Sequence, residues 1–133
     1  MMTSQDWHKA LLALVTWREA EGETMDGKLG VANSIHNRVL DSHIPDNWSN
    51  IIEARHQYSS MTFPGDPRLT AWPKDDEPAW LDCMTVADRV LTLQGVDNTF
   101  GATNYCNLDV CNPAWAHTMT FTVKIGHHSF FKS

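Results

Sequence analysis

The hydrophobic pattern of this chain changes period once, and that change limits the fold more than any single motif. Up to Gly95, apolar residues recur at helical spacing. Trp7, Leu11, Leu14 and Val15 form one stripe, and Leu29, Ala32, Ile35 and Val39 a second. Trp80, Cys83, Ala87, Val90, Leu91 and Gln94 form the last. Beyond Gly95, "TMTFTVKI" alternates strictly, with Met119, Phe121, Val123 and Ile125 on one face and Thr118, Thr120, Thr122 and Lys124 on the other. That is the period of a half-buried strand, and Gly126 lets it turn into "HHSFF". The expected class is α+β and mainly helical, with a small C-terminal antiparallel sheet. At 133 residues the whole chain, 1–133, suits one domain.

Local signals place the helix ends. The first helix is expected over 4–21, capped by Ser4 or Asp6 and closed by Gly22. Thr24 caps a second helix through Asp41, with Pro45 beyond it, and Trp48 to His56 reads as a short third. Tyr58 to Pro78 reads as a long loop carrying Pro64, Gly65, Pro67 and Pro73, and loops of that length usually serve function. Asp75, Asp76 and Glu77 then set negative charge at the start of a helix with Pro78 in its first turn.

Composition removes several functions. A net charge of −6 leaves no basic stripe for nucleic acid or an anionic membrane surface, while neutral sugars or peptides remain open as substrates. Six tryptophans exceed what one small core needs, which suits a cleft with an aromatic platform. The run "ALLALVTW" follows Asp6, has only Lys9 for positive charge and precedes no small-residue cleavage site. Helical amphipathicity therefore explains it better than an export signal, and no membrane-spanning segment is expected.

Three glutamates, Glu19, Glu21 and Glu23, alternate across the end of the first helix. Counting back from Glu19 by four, seven and eight residues gives Val15, Leu12 and Leu11, so Glu19 extends the apolar face. Burial, the negative end of the helix and its acidic neighbours all oppose its ionisation, an environment suited to a general acid. Helical geometry points Arg18 elsewhere. Periodicity alone equally allows a carboxylate that reaches water or pairs with an arginine.

Cys106, Cys111, His117, His127 and His128 match no zinc-ligand spacing, and adjacent histidines on a strand face opposite ways. Cys83 falls on a core stripe, and Cys106 and Cys111 are either free thiols or a local bridge. No cofactor or metal is expected. Tyr58, Trp72, Asn104, Tyr105, Asn107 and Trp115 combine ring faces with amides, a set suited to sugars but equally to closing a sheet over helices.

Four segments in order carry a family resemblance. "REAEGETMDGKLGVANSIHNRV" resembles the Glu-Ala-Arg-Gly-Glu signature, Gly-x-Val-Ala helix and Asn-Arg-Val ending of the SleB-type cell-wall hydrolases. "ARHQYSSMT", "GATNYCN" with "NPAWA", and "KIGHHSFFK" resemble that family's later motifs. The resemblance implies a lysozyme-like fold acting on peptidoglycan glycan strands, with Glu19 as catalytic acid. It assigns a supporting, substrate-side role to Glu23, and matches Gln57, Tyr58, Ser59, Thr103, Asn104, Tyr105 and Trp115 to substrate-binding positions. Glu21 stands where the family usually has arginine, Asn104 replaces a common histidine, and the Cys106/Cys111 pair is not a family hallmark.

Such enzymes cleave between N-acetylmuramic acid and N-acetylglucosamine, generally as lytic transglycosylases that leave a 1,6-anhydro end. The expected actor is a monomeric phage endolysin made without a signal peptide and released to the wall by a separate membrane-permeabilising protein (a holin). The alternatives are a hydrolytic muramidase using Glu23, Asp26 or Asp66 as second carboxylate, a zinc-dependent amidase, and a non-catalytic wall-binding module.

Overall fold

The computed structural model describes residues 2–42, 47–53 and 58–133. Helix α1 spans Ser4–Ala20 and α2 spans Met25–Asp41. The short helices α3, Trp48–Ile52, and α4, Ser59–Thr62, follow, then α5, Pro78–Leu91. Strands β1, Asn104–Cys106, β2, Thr120–Ile125, and β3, His128–Lys132, form an antiparallel sheet of order β1-β3-β2. The expected α+β, mainly helical class holds.

The apolar stripes meet where expected. Leu12, Val15, Ala32, Ile35, Cys83, Val86, Ala87 and Val90 share one core with Phe130 of the sheet. Helix α1 packs on α5 and α2, while the sheet packs on α2. Helix α2 passes close to the sheet at Gly30, where a Cβ would stand 2.8 Å from Phe130 Cζ. The run resembling a leader is thus core: Leu12, Ala13, Val15 and Trp17 are all buried.

Several local expectations need correction. Thr3, not Ser4 or Asp6, caps α1: its hydroxyl accepts from the Asp6 N–H at 3.1 Å while its own N–H donates to the Asp6 carboxylate at 2.9 Å. Gly22 does not take the left-handed conformation of a helix stop; Gly101 and Gly126 are the described glycines at positive φ. Thr24 caps α2 as expected, accepting from the Gly27 N–H at 3.2 Å. The third helix is described only to Ile52, and Ala54 to Gln57 lie outside the described residues. The loop from Tyr58 to Pro78 contains α4 and a 3-10 turn over Pro67–Thr70, where Asp66 accepts from the Arg68 N–H at 2.8 Å. In β2 a register shift between Phe121 and Val123 breaks the alternation, leaving Phe121 exposed while Val123 and Ile125 pack inward.

Candidate active site

Glu19 occupies the last turn of α1 and projects into a pocket lined also by Arg38, Tyr58, Thr103, Asn104, Tyr105 and Trp115. Three separate parts of the chain build it. Helix α2 supplies Arg38, the start of the 58–78 segment supplies Tyr58, and the stretch from Thr103 through β1 to a 3-10 turn over Ala114–His117 supplies the rest. Among the described residues Glu19 is the one carboxylate in the lining.

Both oxygens of that carboxylate are held. The Ser60 hydroxyl donates to Glu19 Oε2 at 2.5 Å, and the Tyr105 hydroxyl donates to Oε1 at 2.6 Å. Ser60 is buried, and its carbonyl accepts from Arg18 Nη1 at 3.2 Å. Arg18 also donates through Nε to the Ala71 carbonyl at 3.1 Å and lies 4.7 Å from the Trp72 ring centre. The arginine therefore points away from Glu19, as helical geometry expects, but shapes the loop that brings Ser60 to it. Burial, then the neighbouring charge of Arg68, lower the pKa of the Arg18 guanidinium.

Tyr105 is enclosed. Burial first, then the Glu19 carboxylate, push its phenol well above the ordinary range, so it stays an O–H at any working pH. Burial likewise pushes Tyr58 up to about 12. Arg38 sits 5.8 Å from the Tyr58 ring centre and donates from Nε to the Thr103 carbonyl at 3.1 Å. Trp115 meets Phe131 edge-on at 5.4 Å, which fixes one wall of the pocket.

The expected acidic crowding around Glu19 takes another form. Glu21 forms an ion pair with Arg68 at 2.6 Å, which compensates its charge. Glu23 does not line the pocket: its side chain is 9% exposed, and its carboxylate reaches the β2–β3 turn, accepting from the His127 N–H at 3.3 Å. Ser59 does not line it either, since its hydroxyl donates to Asp66 at 2.6 Å. Gln57 lies outside the described residues. Tyr58, Thr103, Asn104, Tyr105 and Trp115 do come together with Glu19.

Two residues of the site were not singled out from sequence. Arg38 stood in plain view in the Asn-Arg-Val ending of α2, three residues after the buried Ile35. Ser60 had no such signal, because its inward direction comes from α4, a single turn within an expected loop.

Neither the metal nor the thiol candidates converge. Cys83, Cys106 and Cys111 are all free, and burial pushes Cys83 up to about 12. His117 pairs with Asn112 at 2.7 Å, whereas His127 and His128 both approach Glu23. Among the described residues no three His, Cys, Asp or Glu side chains could hold a metal ion together. No described helix is long and apolar enough to cross a membrane.

The family described as Cell Wall Hydrolase matches residues 22–131. The chain belongs to the cell wall hydrolase family. Its fold matches the catalytic domain of the germination-specific lytic transglycosylase SleB from Bacillus anthracis, with a TM-score of 0.72 and 25% identity over 99% of this chain and 97% of that one. The catalytic domain of Bacillus cereus SleB matches with a TM-score of 0.67 and 28% identity, covering 94% and 89%. In sequence, this cell wall hydrolase domain is 32% identical over 120 residues to a spore cortex-lytic enzyme of Halalkalibacterium halodurans, covering 90% of this chain. A spore cortex-lytic enzyme of Oceanobacillus iheyensis is 28% identical over 124 residues. The aligned region makes up 33% and 40% of the lengths of these two curated relatives. Glu19 lies three residues before the family match begins, so its place in the site rests on the geometry of the pocket.

Proposed function

We propose that this domain cleaves the bond between N-acetylmuramic acid and N-acetylglucosamine in peptidoglycan glycan strands as a lytic transglycosylase, with Glu19 as acid and then base. One observation carries the reading: a single carboxylate, gripped through both oxygens, faces a pocket whose described lining holds no second carboxylate. Glu23, Asp26 and Asp66, the candidate partners for a hydrolytic mechanism, do not line it. Retaining and inverting hydrolysis both use a second carboxyl group across the scissile bond, whereas an intramolecular closure needs none.

In this mechanism the Glu19 proton passes to the glycosidic oxygen as its bond to the muramic acid C1 breaks. The C1 centre acquires oxocarbenium character, and the sugar with the new hydroxyl departs. Glu19, now a carboxylate, takes the proton from the muramic acid C6 hydroxyl, whose oxygen closes on C1. The carboxyl group is regenerated and no water is consumed. Ser60 and Tyr105 suit both halves of the cycle: their hydroxyls hold the carboxylate, and the Ser60 hydroxyl can rotate to accept when Glu19 is protonated. Trp115 and the accessible edge of Tyr105 supply ring surface, and Thr103 and Asn104 supply polar edges, for the flanking sugars, while the buried Tyr58 backs the wall.

The setting we propose is a phage endolysin acting as a monomer, which reaches the wall through a separate membrane-permeabilising protein. Its support is that the apolar run of α1 is part of the folded core. Expression with and without a holin tests it, lysis being expected only with the holin.

The catalytic reading is tested by the loss of turbidity of purified peptidoglycan. Glu19→Gln is expected to lower the rate at least a hundredfold, since general acid–base catalysis contributes about 10²–10⁴-fold. A chelator is expected to leave the wild-type rate unchanged. Retained activity in Glu19→Gln, or loss in the chelator, contradicts the reading and favours an amidase.

A further inference from the structure

Glu19 and its two donors belong to different bodies of the fold. Ser60 sits on the loop tied to α1 through Arg18. Tyr105 sits on β1, whose sheet packs on α2, while α1 packs on α5, α2 and α4. The bond between Tyr105 and Glu19 therefore depends on how the end of α1 is held against the sheet.

A second carboxylate spans that gap. Glu23 follows Glu19 by four residues, and its backbone is fixed on both sides: its N–H donates to the Ala20 carbonyl at 3.0 Å, and its carbonyl accepts from the buried Lys28 ammonium. Its carboxylate reaches the β2–β3 turn, where it accepts from the His127 N–H at 3.3 Å and meets His127 Nδ1 at 3.1 Å. Gly126, at φ +59°, leaves the space it needs, because a Cβ there would stand 2.9 Å from Glu23 Oε2. His128 Nδ1 lies 3.3 Å from Glu23 Oε1, off the line of a hydrogen bond, and burial holds the His128 pKa below its ordinary value, so the carboxylate packs against a neutral ring. The His128 ring in turn packs edge-on against Tyr105, with centres 5.0 Å apart, and Tyr105 lies opposite Phe130 in the strand register.

We propose that Glu23 is a positioning residue for the catalytic pair: by clamping the Gly126–His128 turn to the end of α1 it fixes the Tyr105 hydroxyl on Glu19. This rests on the reading of Glu19 as acid. Glu23 touches no pocket surface and takes no part in proton transfer. Its carboxylate lies outside the pocket lining and acts through His128 and β3.

A double-mutant cycle on rates of peptidoglycan cleavage tests the proposal. Glu23→Gln keeps the shape but removes the charge, and is expected to lower kcat about tenfold with KM unchanged, the scale of one weakened hydrogen bond to a charged group. In a Tyr105→Phe background, where no hydroxyl remains to be positioned, the same substitution is expected to change kcat less than about twofold. Glu23→Asp keeps the charge but withdraws it by one methylene, and is expected to repeat the pattern. A purely structural role predicts equal losses in both backgrounds, tracking a fall in thermal unfolding midpoint. Equal losses, a rise in KM, or wild-type rates in both Glu23 variants overturn the proposal. Glu19→Gln, assayed alongside, separates the two claims: if it stays active the proposed reaction fails, and if it is inactive while the cycle is additive only the positioning role fails.

Discussion

Removing the Ser60 hydroxyl isolates one of the two grips on Glu19. Ser60→Ala deletes a donor that stands 2.5 Å from Glu19 Oε2 and leaves the backbone contact between the Ser60 carbonyl and Arg18 intact. The loop should keep its course, and the loss of stability should stay within about 1.5–3 kcal/mol, the usual net value of one hydrogen bond to a charged group. The catalytic effect is of the same order, because that bond, worth roughly 1.5–3 kcal/mol, also holds the carboxyl group in line with the scissile oxygen. At about 1.36 kcal/mol per tenfold in rate, kcat should fall about ten- to a hundredfold. Ser60 does not line the pocket, so KM should be unchanged. Initial rates on purified, dye-labelled peptidoglycan, read beside a urea unfolding curve, give both quantities. A Ser60→Ala enzyme within twofold of wild type, or one whose loss lies in KM, refutes the reasoning that Ser60 orients the acid.

The fold carries further expectations. Arg18→Met removes the donor to the Ser60 and Ala71 carbonyls and its contact with the Trp72 ring, and should cost about 2–4 kcal/mol in urea unfolding together with most of the activity. Gly30→Ala places a Cβ 2.8 Å from Phe130 Cζ, so overpacking should lower stability by about 1–3 kcal/mol in the same assay. Burial works to raise the Asp97 pKa, but bonds from Thr99, Asn37 and Gly101 outweigh it and hold the group below the usual carboxylate range. The unfolded chain therefore binds the extra proton first, so this stabilisation is full above about pH 4 and is lost as pH falls through the folded value; Asp97→Asn should flatten that part of the acid unfolding curve. Cys83 is buried with its thiol pushed up to about 12, so a thiol reagent should label Cys106 and Cys111 in the native protein and Cys83 only after unfolding.

What the sequence revealed follows from which interactions are local. The helices and their buried faces were legible because period and caps act over a few residues, as with Thr24 on α2. Glu19 was legible for the same reason, since a carboxylate continuing an apolar stripe at a helix end is visible by counting. Tyr105 and Trp115 could be named as ring faces, but their closure over Glu19 depends on pairing of β1 with β3. Phe121 was misplaced because a bulge slips the period of β2, and nothing in "TMTFTVKI" marks it. Glu23 and Ser60 lay beyond local rules. One is claimed by a turn 104 residues away, and the other is turned inward by an arginine 42 residues before it.

The most direct measurement is mass spectrometry of the fragments released from purified peptidoglycan by wild type and Glu19→Gln. The account predicts muropeptides ending in 1,6-anhydro-muramic acid from the wild type and none from the variant. Reducing ends from the wild type, free stem peptides, or the same fragments from Glu19→Gln contradict it.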